Sequence, residues 1–434
     1  MQTFIENAIA DPSIENPSTI TTPTQVRLVS STSPRHQILT KMPYVIPFET
    51  RAKIFRAWIY GDRIASGLDD AQWLRPRARV SIRRSHIFED AYKTLSPLGP
   101  ALKNRIAITF VSALDGEVEA GIDGGGVFKE FLSELLREVF GESRVPLFTT
   151  TPDHLIYPAP LSDDKMHLRY MEFFGRVLGK ALYEGVLIDA EFAGFFLSKW
   201  LNRQSYLDDL RTLDVELYNG LMFLKTYTGD VERDFALNFT AVEEGGRVVE
   251  IVPGGAGIPV TKENRIAYIY RMANYKLNVR IGRPCRAFFE GLNTLINAKW
   301  LKIFNQSELQ LLLGGATTPI DLEDLKRNIT YGGDFHELHP TIRLFWDVVE
   351  SEDVSEEDRR LLVKFVTSCA RPPLLGFGEL KPGFCIRPSG ESEDRLPSAS
   401  TCVNMLKLPE YKTREALRSK LLYAVRSNAG FELS

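Results

Sequence analysis

The stretch LLLGGATTPIDLEDL, residues 311–325, separates two parts of the chain that have different residue patterns. Two glycines, two threonines and a proline interrupt two segments with helical patterns, and this composition is typical of a flexible joint. The chain has 434 residues, and this length favours two or three domains over one core. We therefore predict a hinge at 314–319 between two lobes.

Helical patterns dominate the part before the hinge, residues 43–313. Apolar residues recur at helical spacing in PFETRAKIFRAWIYGDR (47–63) and in the second half of EAGIDGGGVFKEFLSELLREVF (119–140). The run RIAITFV (105–111) is typical of a strand. We predict a large, mostly helical N-terminal lobe.

Two further segments of this lobe carry local signals. The runs DFALNFT (234–240) and RVVEIVP (247–253) flank EEGG and are predicted to pair as a hairpin. The segment that begins TKENRIAYIYRM is predicted to be a long helix with Thr261 as its N-cap.

The part after the hinge, residues 320–434, mixes helical and strand patterns. SEEDRRLLVKFVTSC is predicted to be a helix capped by Ser355, and REALRSKLLYAV to be a helix capped by Thr413. FCIRP and TCVNMLKL are typical of short strands. The predicted fold class is therefore α+β and bilobal, with a small α+β C-terminal lobe joined by the flexible hinge. Residues 1–42, rich in Ser, Thr, Pro and Asn, are predicted to be a loosely ordered leader.

Composition and charge argue against several classes of function. The formal net charge is −3 and no run of basic residues occurs, so we expect no nucleic-acid partner. No stretch approaches the roughly 20 apolar residues that span a bilayer, and the first 25 residues lack the pattern of a secretory signal. We expect no membrane association and an intracellular protein, in the cytoplasm, the nucleus or both.

Metal and phosphate motifs are weak in this sequence. The four cysteines form no C-x-x-C pair, and HELH (336–339) is one residue too short for a zinc motif. The DGGG run (123–126) matches no phosphate-binding loop and is better explained as a tight entry into the following helix. We expect no metal and no cofactor.

Cys402 lies in RLPSASTCVNMLKLPEY (395–411) and has features of a reactive thiol. Small residues precede it and leave room for a large acyl group, while Arg395 and Lys407 lie close in sequence and favour the thiolate. Most free cysteines are small buried hydrophobic residues, so an inert core role stays open. No histidine lies close in sequence, although a base from a distant segment stays possible.

Phe431 is the fourth residue from the end of the chain, where tails are usually polar and frayed. An aromatic side chain at this position either packs into its own lobe or is held out to contact another molecule, and the residues alone leave both interpretations open.

Several long segments together resemble one family. RLPSASTCVNMLKLPEY, with Phe431 near the end, is similar to the end of a HECT-type ubiquitin-protein ligase. EAGIDGGGVFKEF, FGRVLGKALYE, PVTKENRIAYI and LLLGGATTPIDLEDLKRNITYGG resemble the same family in the same order, from about residue 44 to 434. RPPLLGFGELKPGFCI most resembles the proteasome-associated branch of these ligases.

The resemblance implies a bilobal enzyme in which Cys402 is the nucleophile. It implies that Cys402 accepts ubiquitin as a thioester from a ubiquitin-conjugating enzyme and passes it to a lysine of a protein substrate, with Thr401 and Phe431 positioning ubiquitin. Glu432 is a hypothetical base for the lysine. The branch further implies a link to the proteasome and to proteasomal degradation.

The segment ELYNGLMFLKTYTGDVERDFALNF resembles the part of the family that docks the conjugating enzyme. The resemblance assigns the docking role to seven residues: Leu217, Leu221, Leu224, Tyr227, Phe235, Leu237 and Tyr268. The three leucines share one helical face, which is more often core than interface. Two positions depart from the family pattern, since Tyr268 replaces a phenylalanine and Ser400 replaces a histidine of some relatives.

Two alternative functions remain. One is a thiol hydrolase that cleaves ubiquitin-like conjugates with Cys402 and needs a histidine within about 3 Å of the sulfur. The other is a docking module that binds the conjugating enzyme while Cys402 stays inert.

Overall fold

The computed structural model describes residues 34–68, 78–112, 126–141, 146–160, 165–316 and 318–427. The helices and strands before the predicted hinge are, in chain order, α1 (Pro34–Lys41), α2 (Phe48–Ala65), β1 (Ala78–Arg83), α3 (Ile87–Leu95), β2 (Ile106–Val111), α4 (Gly126–Phe140), β3 (Phe148–Thr150), β4 (Ile156–Pro158), α5 (Lys165–Glu184), α6 (Gly194–Trp200), α7 (Leu210–Leu213), α8 (Val215–Thr226), α9 (Val231–Phe235), β5 (Thr240–Val242), β6 (Val248–Glu250), α10 (Arg265–Asn274), α11 (Gly282–Asn293), α12 (Ala298–Leu301) and α13 (Gln306–Gly314). Those after it are α14 (Leu322–Asn328), β7 (Thr330–Tyr331), α15 (Pro340–Glu350), α16 (Glu356–Thr367), β8 (Cys385–Pro388), β9 (Ser398–Ser400), β10 (Met405–Leu408) and α17 (Arg414–Ser427).

The chain divides into two compact units. One unit comprises the residues up to Glu138, Val177–Ala190 and the residues from Glu308 onward, and the other comprises Val139–Arg176 and Glu191–Ser307. The lobe boundaries inferred from the sequence at 314–319 stay a prediction. Among the described helices, none combines the length and the apolar character that crossing a bilayer requires.

In the first unit, the strand predicted at 105–111 forms as β2, over Ile106–Val111. β1 and β2 pair in parallel with Ala78 opposite Ile106, and α3 connects them. In the same unit, the buried guanidinium of Arg51 on α2 donates to Glu308 Oε2 over 2.7 Å and to Ile46 O over 2.9 Å. A buried cation requires such partners, because desolvation of an unpaired charge is costly.

The C-terminal part of the same unit has a hydrophobic core of its own. A four-stranded sheet in the order β7–β8–β10–β9 contributes Ile386 and Leu406, and α15, α16 and α17 contribute residues such as Phe345, Val363 and Leu417. α16 begins with a capping box, because Ser355 accepts from the Asp358 backbone and Asp358 accepts from the Ser355 backbone. The predicted α+β pattern of residues 320–434 is therefore present in these elements.

The predicted hinge begins where α13 ends. Gly315 has a φ of +86°, and a Cβ there would lie 2.6 Å from the Pro372 carbonyl oxygen. The next amide, Ala316 N, donates to that oxygen over 2.9 Å. Glycine is therefore required at 315 both by the left-handed backbone and by the close approach of another segment.

The second unit has an aromatic core. Phe148, Phe174, Phe196, Trp200 and Phe288 interlock at ring-centroid distances of 4.9–6.5 Å, mostly edge-on or tilted.

Helices α5 and α11 cross at two glycines in this unit. A Cβ at Gly175 would lie 1.9 Å from Phe288 O, and one at Gly291 would lie 1.8 Å from Glu172 O. The two backbones are therefore in direct contact, and any side chain at either position would separate the helices.

Three local predictions differ from the structure. Residues 34–41, predicted to be loosely ordered, form α1, whereas residues 1–33 lie outside the described part. The strand predicted at 234–240 begins only at Thr240, because Asp230 accepts from Arg233 N and starts α9 over 231–235.

The third difference concerns the start of the helix predicted from Thr261. This helix begins at Arg265, since the Asn264 side chain binds Thr261 N and Pro259 O and closes a turn first.

We predict that Gly291→Ala lowers the free energy of unfolding by about 1–3 kcal/mol, because the added methyl group forces α5 and α11 apart. The measurement is denaturant unfolding of the variant and the unchanged chain. Gly220→Ala is the matched control, since no atom lies within 4 Å of a Cβ at this helical position, and it should stabilise α8 by about 0.5–1 kcal/mol. Equal stability of the two variants would contradict the tight crossing.

Candidate functional site

Cys402 lies in the short connection between two strands of the C-terminal sheet. β9 and β10 are antiparallel with Ser400 opposite Met405, and the single 3₁₀ turn Thr401–Val403 lies between them. The sequence pattern predicted a strand over TCVNMLKL, but the strand starts at Met405 because the chain must first reverse direction. The side chain of Cys402 lies outside the described part of the chain, so its assignment as nucleophile stays a prediction.

Asn404 closes this turn. Its φ of +49° and ψ of 46° are left-handed, a conformation that asparagine tolerates better than most residues. The backbone N–H of Asn404 donates to Thr401 O over 3.3 Å, and the backbone carbonyl of Asn404 accepts from Cys385 N over 2.9 Å. The backbone of the turn is thereby bonded to itself and to strand β8.

The side-chain amide of Asn404 is bonded at both ends. Its Oδ1 accepts from Lys129 Nζ over 2.7 Å, and its Nδ2 donates to Pro382 O over 2.5 Å. Only 1% of Asn404 is exposed, so a lost partner would leave a buried polar group unpaired. Neither Lys129 nor Asn404 was among the residues predicted for the site, although an asparagine two residues after the cysteine is itself a signal of a left-handed turn.

Of the two basic residues close to Cys402 in sequence, Arg395 is bonded to another segment and Lys407 lies within a strand. Arg395 Nη1 donates to Ser389 O over 3.0 Å, and Lys407 lies in β10 opposite Ser398. The cation that the described structure places on the turn is Lys129 of α4. Thr401, predicted to position ubiquitin, is half-buried and supplies the carbonyl that closes the turn.

The end of α17 is fixed to α16 just before the tail that carries Phe431. Arg426 donates through Nε and Nη2 to the two oxygens of Asp358, over 2.7 and 2.9 Å. These bonds and those from Ser355 lower the pKa of Asp358 to about 2. Phe431 and Glu432 themselves lie outside the described residues.

A second candidate site lies in the other unit, on α8 and α9. Phe223, Tyr227 and Phe235 form an aromatic cluster in which the ring centroids are 5.5, 6.0 and 4.9 Å apart. Phe223 is 58% exposed, and the other two rings are half-buried. An exposed group of large apolar side chains is typical of a surface that binds a protein partner.

The rings of this cluster are held by polar neighbours. Tyr227 OH donates to Asp234 Oδ2 over 2.8 Å, and this bond, followed by that from Arg233, lowers the pKa of Asp234. The Tyr227 ring also lies across Gly229, where a Cβ would be 2.7 Å from it. The orientation of Tyr227 is therefore fixed before any partner binds.

The seven predicted docking residues divide into two groups in the structure. Leu217, Tyr227, Phe235 and Leu237 are half-buried and retain surface. Leu221, Leu224 and Tyr268 are only 3%, 2% and 4% exposed, so in this structure they support the surface from beneath and present almost none of it themselves.

Phe223 was missed by the sequence analysis. The leucines at helical spacing were the signal there, and two of them, Leu221 and Leu224, lie on the buried face of α8. Phe223 lies between Leu221 and Leu224 in sequence and therefore projects from another face. An aromatic residue on the polar face of an amphipathic helix is the signal that could have identified it.

Comparison with known proteins gives consistent matches over most of the chain. A family described as HECT-domain (ubiquitin-transferase) matches residues 133–434. A probable E3 ubiquitin protein ligase of Schizosaccharomyces pombe is 48% identical over 410 residues, which cover 93% of this chain and 39% of that protein.

Two more relatives match to a similar extent. The E3 ubiquitin-protein ligase HUL5 of Saccharomyces cerevisiae is 41% identical over 92% of this chain and 45% of its own length. The human ubiquitin-protein ligase E3B is 40% identical over 92% of this chain and 40% of its own length. The chain thus spans about two fifths of the length of these relatives.

Proposed function

Because the chain belongs to the HECT-domain (ubiquitin-transferase) family, we propose that it is a ubiquitin-protein ligase that carries ubiquitin as a thioester on Cys402. The observation that carries the proposal is the position of Cys402. It lies inside the matched range 133–434 and in a short turn that is held by hydrogen bonds. Relatives whose names state ubiquitin-ligase activity match more than nine tenths of the chain.

The first proposed step is an exchange of thioesters. The Cys402 thiolate attacks the carbonyl carbon that joins ubiquitin to the conjugating enzyme, a new carbon–sulfur bond forms, and the thiolate of the conjugating enzyme leaves. The bonds broken and formed are alike, so the step is close to neutral in energy and depends on positioning. A thiol with a pKa of about 8.5 is already a few per cent thiolate near neutral pH, so this chemistry does not require a neighbouring histidine.

The second proposed step forms an isopeptide bond. A substrate lysine, with an ordinary pKa of about 10.4, must lose a proton before its amine attacks the thioester carbonyl. A carbon–nitrogen bond then forms, and Cys402 leaves as a thiolate. Desolvation or a nearby carboxylate would assist the deprotonation, and Glu432 is the candidate carboxylate.

The aromatic cluster supports a docking role for α8 and α9. We propose that the conjugating enzyme binds there through Phe223, Tyr227 and Phe235, with Leu217 and Leu237 at the edge. Leu221, Leu224 and Tyr268 would act from below by fixing α8 in place.

Motion at residues 314–319 is part of the same proposal. The two steps involve different partners, so the C-terminal lobe must change its position between them. Such a movement would stretch or break the bond from Ala316 N to Pro372 O.

The biological setting follows from the same reasoning. We propose that the protein acts inside the cell, in the cytoplasm or nucleus, and that the proteins it modifies are degraded by the proteasome. This part rests on the resemblance of RPPLLGFGELKPGFCI to the proteasome-associated branch.

We predict that the chain, mixed with a conjugating enzyme charged with ubiquitin, forms a ubiquitin adduct that thiol reductants cleave. Cys402→Ala should form none, and Cys402→Ser at most an adduct that resists reductant. A non-reducing gel with and without reductant is the measurement, and Cys385→Ser is the control. Cleavage of ubiquitin conjugates would identify a thiol hydrolase, and neither reaction would identify an inert docking module.

We predict that Phe431→Ala retains thioester formation but loses most of the isopeptide product, because the residue acts only after loading. The measurement compares the reducible adduct and the lysine-linked product on the same gel. Loss of both species together would instead indicate a misfolded C-terminal lobe.

We predict that Phe223→Ala weakens binding of the conjugating enzyme about tenfold or more, since an exposed aromatic in an interface is typically worth over 1 kcal/mol. Calorimetry or fluorescence anisotropy measures the Kd. Tyr423→Ala is the matched control, because Tyr423 is 61% exposed on α17, and it should bind normally. Equal affinity of the two variants would remove the aromatic cluster from the proposed docking surface.

A further inference from the structure

A hydrogen bond connects α4 to the residue that closes the turn of Cys402. The bond joins Lys129 Nζ to Asn404 Oδ1 over 2.7 Å, between residues 275 positions apart in the chain. Neither residue has a role in the function proposed above, although one lies two positions from the proposed nucleophile.

The bond completes the restraint of the turn. The Asn404 amide is also bonded at Nδ2 to Pro382 O, so its plane is fixed from both ends. A side chain held at both ends cannot change rotamer without breaking a buried bond, and its backbone is already bonded to Thr401 and Cys385. The path of the chain at Cys402 is thus set by three segments at once.

The bond also brings a positive charge to the turn. The Cα atoms of Cys402 and Asn404 are at most about 7 Å apart, from the length of two residues of chain. Lys129 Nζ is bonded to the residue two positions after Cys402, so the bond ties α4 to the path of the chain at the proposed nucleophile.

Building on the proposed ligase activity, we propose that Lys129 and Asn404 are a positioning pair that holds the Cys402 turn in the geometry required for one of the two transfer steps, and that their bond breaks when the C-terminal lobe moves for the other. Lys129 touches neither ubiquitin nor the conjugating enzyme in this role and acts through Asn404. The pair should therefore affect the maximal rate of transfer and leave the affinities for both partners unchanged.

The test measures transfer of ubiquitin from charged conjugating enzyme to free lysine, over a range of conjugating-enzyme concentrations. We expect Lys129→Gln to lower kcat about tenfold or more, because small misplacements of a reacting group are costly, and to leave KM unchanged. Lys129→Arg keeps a charged donor and should recover most of the rate.

The matched control is Arg137→Gln on the same helix. Arg137 is 67% exposed and pairs with Glu134 one turn earlier, so its loss should leave kcat and KM unchanged. The melting temperature of each variant is measured alongside, and it should stay above the assay temperature.

Asn404→Gly tests the other half of the pair. Glycine accepts the φ of +49° without strain, so this change removes the amide and keeps the turn conformation available. If the two residues act through one bond, the double variant Lys129→Gln/Asn404→Gly should be no slower than the slower single variant. If the double variant instead loses kcat by the product of the two single losses, the residues act independently and the proposed pair is wrong.

Failure of this inference is distinguishable from failure of the proposed function. Normal kcat in Lys129→Gln, in a chain whose unchanged form transfers ubiquitin, would overturn the positioning pair alone. Absence of any reducible adduct on the unchanged chain would end both proposals.

Discussion

One buried asparagine determines the geometry of the Cys402 turn. Asn404 adopts a left-handed backbone, and its backbone N–H, its carbonyl and both ends of its side-chain amide are bonded. Because the partners come from the turn itself, from residues 382–385 and from α4, the turn cannot shift without breaking buried hydrogen bonds. An exchange between two thioesters gains little energy from bond making, so this kind of restraint is what such chemistry needs from a protein.

The two candidate sites are built on different physical principles. The Cys402 turn is fixed by backbone and amide hydrogen bonds at the edge of a small sheet. The aromatic cluster of Phe223, Tyr227 and Phe235 instead lies above a buried leucine row, and its contribution is apolar surface. A turn fixed by hydrogen bonds holds a reacting group in one position. An exposed aromatic cluster offers apolar surface to a partner that must bind and leave.

Much of the local structure was predictable where the pattern was long. The helices at 48–65 and 414–427 and the strand β2 follow from the apolar spacing and the capping signals at these positions. Predictions failed where a side chain competes with the backbone, as at Asn264, which delays α10 until Arg265, and at Asp230, which starts α9 inside a predicted strand. These bonds depend on how the chain turns, which periodicity does not encode.

The sequence alone determined the cysteine, the small residues before it, the change of pattern near 314–319 and the family that these segments resemble. Tertiary structure decided which apolar residues face outward, so that Phe223 lies on the surface while Leu221, Leu224 and Tyr268 do not. It also bonded Lys129, a residue far away in sequence, to Asn404 at the end of the Cys402 turn, where sequence proximity had favoured Arg395 and Lys407. The reason is physical: spacing along a chain fixes which residues share a helix face, but contacts between residues 275 positions apart exist only once the chain has folded.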